Sequence, residues 1–240
     1  MPYGEAMGKG PVVAGVVVGV VALLVGGAFV ADRVVASTVE DRAVQAIQQN
    51  LDGVVGTPTV DIGGFPFLTQ VLKGSLDEVT GQVDGVTIEG IHATDVTLEA
   101  TDVTTTKPYT AASATLTATL PTASIDKIVA DQSTLDVTTS VDGDTLKATG
   151  KVLGLTLSAA LVPRVKDGKL LVDVQNVTVG GVSVSVDSLP SAIGGKLTGI
   201  EVPVKAGLPE GVQLSSAKVV DDGLRITATG TDVVIPTEAP

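Results

Sequence analysis

From Leu76 onward, apolar side chains recur at alternate positions: Val86 and Ile88; Val96, Leu98 and Ala100; Ala114, Leu116, Ala118 and Leu120; Leu135 and Val137; Leu155, Leu157, Ala159 and Leu161. Thr, Ser, Asp and Glu stand between them, as at Thr115, Thr117 and Thr119. A period of two sends successive side chains to opposite faces of a strand, so the run predicts a sheet with one dry face and one wet face. Val and Thr dominate while aromatic residues are only 2% of the chain, which suits pleated strands better than helices. Asp142-Gly143, Asp167-Gly168, Gly180-Gly181 and Asp222-Gly223 separate such runs and predict hairpin turns between antiparallel neighbours. Later strands are expected at Leu170–Val174, Val182–Val186, Ile200–Val204, Leu224–Ala228 and Val233–Ile235, giving a sheet of about nine or ten strands.

Helical signals are few. Val35, Val39, Ala43, Ile47 and Leu51 recur every four residues among Glu40, Asp41, Arg42, Gln45, Gln48 and Gln49, which predicts an amphipathic helix over about residues 32–51. Asp52-Gly53 and Gly56-Thr57-Pro58 end it. Pro121–Ala130 reads as a short helix and Leu189–Leu197 as a brief helical or irregular stretch. The run Ile62-Gly63-Gly64-Phe65-Pro66-Phe67-Leu68-Thr69-Gln70-Val71-Leu72-Lys73-Gly74 is less ordinary, with two of the three Phe residues flanking Pro66. Pro66 fits the first turn of a short helix and Gly74 its stop, while Phe67, Leu68, Val71 and Leu72 stand at spacings that share one face. This turn can either fill the core or form an apolar lip where lipid enters or the domain meets a membrane. The 32–51 helix is a small cover for so large a sheet, so the dry face requires either a sheet that curls on itself or an apolar ligand.

The N-terminus is of another kind. No charged residue occurs from Gly10 to Ala31, a stretch of the length that crosses about 30 Å of hydrocarbon as a helix of about 20 residues. A retained anchor is the expectation, and the small residues at Gly26-Gly27-Ala28 and Val34-Val35-Ala36 leave a cleaved signal as the alternative. A short tail at residues 1–9 favours the N-terminus inside, with the following domain outside the cytoplasm. Gly15 and Gly19 form a GxxxG step of the kind that can pack two such helices.

Several function classes are disfavoured. A net charge of -12 with 15 scattered basic residues argues against nucleic acid. There is no Cys, hence no disulfide and no thiolate chemistry. His92 is alone, whereas a zinc site needs three or four convergent ligands and a serine triad needs a nucleophile elbow that the chain does not have. Carboxylates such as Asp77 with Glu78, Asp84, Asp95 with Glu99, and Asp221 with Asp222 fall at turns or on polar strand faces, without the aromatic platforms of a sugar site. Gly63-Gly64 lacks the lysine of a phosphate loop, and Asn176-Val177-Thr178 is a sequon that matters only in a eukaryotic secretory pathway. The reading is a non-enzyme with no cofactor.

The stretch from Asp32 to Ile235 resembles the LmeA-like phospholipid-binding family of actinobacterial cell-envelope proteins. The helix leading into Ile62–Gly74 with Leu76–Val79, the Val- and Thr-rich alternating body, and the pair Leu208–Val212 with Asp222–Ile226 carry the resemblance. It implies an α+β, β-rich fold, a long curved antiparallel sheet wrapped around an amphipathic helix in a TULIP-like architecture, with an apolar cavity for acyl chains. The organisation expected is a cytoplasmic tail at 1–9, a transmembrane anchor or uncleaved signal at 10–31, the lipid-binding domain at 32–235 and a frayed tail at 236–240. Lipid-contacting residues are expected at Phe65, Phe67, Leu68, Val71 and Leu72, with Val39 and Ile47 from the helix. The resemblance also implies a non-enzymatic role in envelope lipid or glycolipid biogenesis, with phospholipid, the membrane, and an envelope glycosyltransferase or another membrane protein as partners.

Overall fold

The computed structural model describes residues 32–50, 52–88, 90–132, 137–152, 155–188, 198–202, 208 and 211–235. The expected tail, anchor, 189–197 stretch and C-terminal end lie outside the described residues. Among those described, no helix is long and apolar enough to cross a membrane.

Helix α1 spans Asp32–Asn50 and is followed by strands β1 (Asp52–Val55) and β2 (Thr59–Gly63), then by helix α2 (Phe67–Lys73). Strands β3 (Ser75–Ile88), β4 (Ile91–Thr104) and β5 (Thr110–Pro121) form a meander that ends in helix α3 (Thr122–Gln132). Then come β6 (Val137–Asp142), β7 (Thr145–Val152), β8 (Leu155–Lys166), β9 (Lys169–Val179), β10 (Val182–Ser185), β11 (Ile200–Val202), β12 (Val212–Val220) and β13 (Gly223–Val234).

These strands make two antiparallel sheets rather than the single long one expected. The first runs β1-β3-β4-β5-β13-β12, with β2 also on the β3 edge; the second runs β10-β9-β8-β7-β6, with β11 on β9. The cause of the split is edge occupancy. β13 pairs with β5 from Thr110 to Pro121, so β6 has no edge to join, and the chain turns away through α3 to start a second sheet. The number of described strands, thirteen, exceeds the expected nine or ten because β1, β2, β7 and β12 fall outside the expected runs, while the expected Leu224–Ala228 and Val233–Ile235 merge into β13. The α1 helix is cradled by the first sheet alone, while the second packs against β12.

The turns follow residue chemistry. Asp167 and Gly168 both have positive φ (52° and 73°), as do Gly180 and Gly181 (57° and 90°), and these are two-residue hairpins whose twist matches that of the strands. The β12–β13 turn is Asp221-Asp222, and Gly223 starts β13 instead of belonging to the turn. A Cβ there would lie 2.1 Å from the Leu120 carbonyl oxygen, so only glycine allows this approach of the two backbones.

A sequence repeat shapes the first sheet. Thr94-Asp95-Val96, Thr101-Asp102-Val103 and Thr231-Asp232-Val233 each place Asp at φ 49–51°, a left-handed conformation that Asp tolerates better than most residues. At Asp95 the pairing of β4 with β5 slips, so that two residues of β4 oppose one of β5. The slip at Asp95 lets Ala93 and Val96 face the same side although they are three apart; at Asp102 the register is kept, because β3 breaks its own alternation opposite it at Asp77, and Ala100 and Val103 likewise share a side. The registers bracket Asp77, Asp102, Ala112 and Asp232 into one row across β3, β4, β5 and β13, all exposed. Leu76, Val103 and Ala111 lie inward on one side of this row and Val79, Ala100 and Ala114 on the other, and both sets pack in the cluster that holds α1. The sheet bends there around the helix.

Candidate lipid-binding face

Four of the five residues of the α1 stripe are buried, and the fifth, Leu51, lies outside the described residues. Val35, Val39, Ala43 and Ile47 are buried against Val60 and Ile62 of β2, Val79 of β3, Ala100 and Val103 of β4, and Ala111 of β5. Two carboxylates on the helix fix its position. Glu40 Oε1 accepts a hydrogen bond from the Ile62 amide (3.0 Å) on the outer edge of β2, and the Asp32 carboxylate accepts from the amides of Phe67 (3.0 Å) and Leu68 (2.7 Å). Those amides open the first turn of α2 and have no partner within the helix, so Asp32 supplies one from thirty-five residues away.

At its other end α2 stops at Gly74 (φ 80°), whose amide reaches back to the Val71 carbonyl (3.0 Å). The buried Gln70 amide ties the helix to two strands: it donates to the Gly63 carbonyl (3.1 Å) and accepts from the Asp77 amide (2.7 Å).

The structure divides the seven expected lipid contacts. Phe67, Val39 and Ile47 are buried in the core cluster, and Val71 is half-buried against it. Leu68 is half-buried. Phe65 and Leu72 face outward, 74% and 88% exposed. His92 sits at the β3–β4 turn with Nδ1 3.4 Å from Thr87 Oγ1, and its carbonyl accepts from Ser124 at the start of α3 (2.7 Å).

The middle of the first sheet's inner face differs from both ends. Leu98 of β4 pairs with Leu116 of β5, and the row continues to Gly81 of β3 on one side and to Ala228 and Leu214 on the other. On one flank, Ala100 and Ala114 belong to the α1 cluster. On the other, Val83, Val86 and Ala93 form a cluster with Val54, Val96, Ala118 and Leu120. Ala228 and Leu214 join Leu146, Leu170 and Leu224 in a third cluster, beneath α3 and the second sheet. Leu98 and Leu116 belong to none of the three and are only half-buried, although they lie on central strands.

Gly81 is the key to this gap. A Cβ built on it would meet only Leu98 Cβ and the Thr59 carbonyl oxygen, both at 3.9 Å and both on adjacent strands, with nothing from a covering layer among the described residues. Among the described residues, Gly81, Leu98 and Leu116 thus form a candidate aliphatic slot bordered by the three clusters. A glycine with inward parity inside an otherwise β-branched strand is the sequence signal that would have found it, because such a glycine leaves room for a close approach.

Two antiparallel sheets, one cradled helix and an aliphatic slot beside it fit a β-sheet protein of the lipid-binding class. The chain belongs to the LmeA-like phospholipid-binding family, whose model matches residues 30–229. Comparison with curated proteins and with solved structures gave no match.

Proposed function

We propose that this chain is an extracytoplasmic, membrane-anchored, non-enzymatic protein that holds phospholipid acyl chains against the inner face of its first sheet and supports cell-envelope lipid or glycolipid biogenesis. Membership of a phospholipid-binding family supports the ligand class. The single observation that carries the placement is the pair Leu98–Leu116 over Gly81, unclaimed by any packed cluster. An acyl chain needs burial and no directional bonds, and at about 0.8 kcal/mol per CH₂ a dozen methylenes contribute on the order of 10 kcal/mol before ordering costs. The charge-free run from Gly10 to Ala31 supports the anchor and the extracytoplasmic side. An envelope glycosyltransferase or another membrane protein is the partner this reading expects.

The test is lipid extraction of the purified chain followed by mass spectrometry. The reading expects co-purified phospholipid in stoichiometric amount, and a chain that carries none and cannot be loaded from phospholipid vesicles contradicts it. A second reading, an adaptor that docks a membrane protein, draws on the exposure of Phe65 and Leu72. It expects Phe65→Asp with Leu72→Asp to abolish partner recovery while lipid content stays unchanged.

A further inference from the structure

Three large apolar side chains stand out of the first sheet's helical end: Val34 is 64% exposed, Phe65 74% and Leu72 88%. The Asp32 carboxylate accepts from the amides of Phe67 and Leu68, which ties the start of α1, with Val34 two residues on, to the start of α2, with Phe65 two residues before Phe67, at one corner of the fold. Leu72 lies one turn from half-buried Leu68 and shares its side of α2. Phe65, Leu68 and Leu72 are outside the core clusters, so nothing in the described fold has a use for this face.

The same Asp32 is the first residue after the charge-free run Gly10–Ala31. No linker separates the end of that run from the cap of α2. We infer that the Val34–Phe65–Leu72 corner is a membrane-docking tip, seated in the lipid headgroup region beside the point where the chain enters the bilayer. This rests on reading the run as an anchor. It goes beyond that reading because an anchor alone would let the domain tumble at the surface, whereas a seated tip fixes its orientation. The exposed Lys73, next to Leu72, faces the same boundary, where a cation reaches lipid phosphates while the neighbouring side chain is buried. A tip of this kind sits about 5–10 Å into the boundary between headgroups and acyl chains.

The chain contains no Trp, so Phe65→Trp introduces a single indole fluorophore. The full chain carrying it is reconstituted into vesicles of phosphatidylcholine and phosphatidylglycerol, with brominated lipid as quencher, beside a control with Val182→Trp, an exposed position on β10 of the second sheet (67%). The expected result for the Phe65→Trp protein is blue-shifted indole emission, quenched several-fold more by brominated lipid than in the control and protected from aqueous iodide. Adding Leu72→Asp to Phe65→Trp should return the emission to that of an indole in water. Gly81→Leu, which fills the slot, should leave the lipid quenching of the Phe65→Trp protein intact, which separates contact with the bilayer from contact with bound cargo lipid. Quenching no stronger in the Phe65→Trp protein than in the Val182→Trp control overturns the inference. So does protection from iodide without quenching by lipid, which marks a protein contact instead, and so does quenching that disappears with Gly81→Leu. None of these results alters the amount of lipid that the wild-type chain carries.

Discussion

Two stretches of the same inner face are built from the same residue types and end up in opposite states. At the α1 end, Leu76 and Val39 are among the most deeply buried side chains of the protein, sealed between helix and bent sheet. In the middle, Leu98 and Leu116 occupy central strands yet belong to no packed cluster among the described residues. Strand propensity and alternation are alike in both, so the difference lies in what is laid on top. The α1 cluster reaches Ala100 and Ala114 but not Leu98 or Leu116, α3 and the second sheet border the other flank, and among the described residues the interval between them is where a ligand can take the place of core.

The comparison can be broken most forcefully at the sealed end. Leu76→Ala removes a fully buried side chain and should cost about 2–5 kcal/mol, whereas Leu116→Ala on a half-buried site should cost clearly less in the lipid-free protein. Urea unfolding of both, with and without bound lipid, measures the contrast; equal losses would mean that the middle is ordinary core. Asp32→Ala unties α1 from α2 and leaves two helix amides without acceptors, an expected loss of about 1 kcal/mol read from the same curves. Gly81→Leu sharpens the comparison from the other side. Its backbone lies outside the positive-φ region, so lipid-free stability should change by less than about 1 kcal/mol while co-purified phospholipid falls severalfold.

The smallest effect expected lies away from the face. The Arg164 guanidinium, by hydrogen bonding, and then the Gly199 amide hold the Asp173 carboxyl below its ordinary pKa despite an opposing effect of burial. Folding therefore draws stability from the ionised form above the unfolded-state pKa of about 4, and this is lost as pH falls through the lower folded-state value. The pair is partly exposed, so the effect is modest. Asp173→Asn should lower the melting temperature modestly near neutrality, with the difference from wild type shrinking and then vanishing as pH falls below about 4.

Much of this architecture was legible from residue order. The four-residue spacing from Val35 to Ile47 located α1, Pro66 and Gly74 bounded α2, and Asp167-Gly168 and Gly180-Gly181 marked hairpins, because each of these signals is local. The partition into two sheets was not legible. It depends on β13 returning to occupy the free edge of β5, a pairing between strands far apart in the chain that leaves no local trace. The bend made by the Asp residues of the Thr-Asp-Val repeats was hidden because Asp in a strand looks like any solvent-facing residue until its φ is known. The candidate contacts were drawn toward the Phe-Pro-Phe block, where apolar density is highest. The fold uses Phe67, Val39 and Ile47 as core and turns Phe65 and Leu72 outward, while the proposed slot lies at Gly81, Leu98 and Leu116, of which the two Leu look like ordinary strand positions and only Gly81 carries a local signal.

The central claim is that acyl chains lie against the row Gly81, Leu98 and Leu116 of the first sheet. The most direct measurement is photo-crosslinking with a phospholipid that carries a diazirine along one acyl chain, loaded into the purified full chain and mapped by peptide mass spectrometry. Adducts concentrated on β4 and β5 around Leu98 and Leu116, and lost in Gly81→Leu, are the result this account predicts. Adducts that avoid both strands while the protein still carries stoichiometric lipid would contradict it.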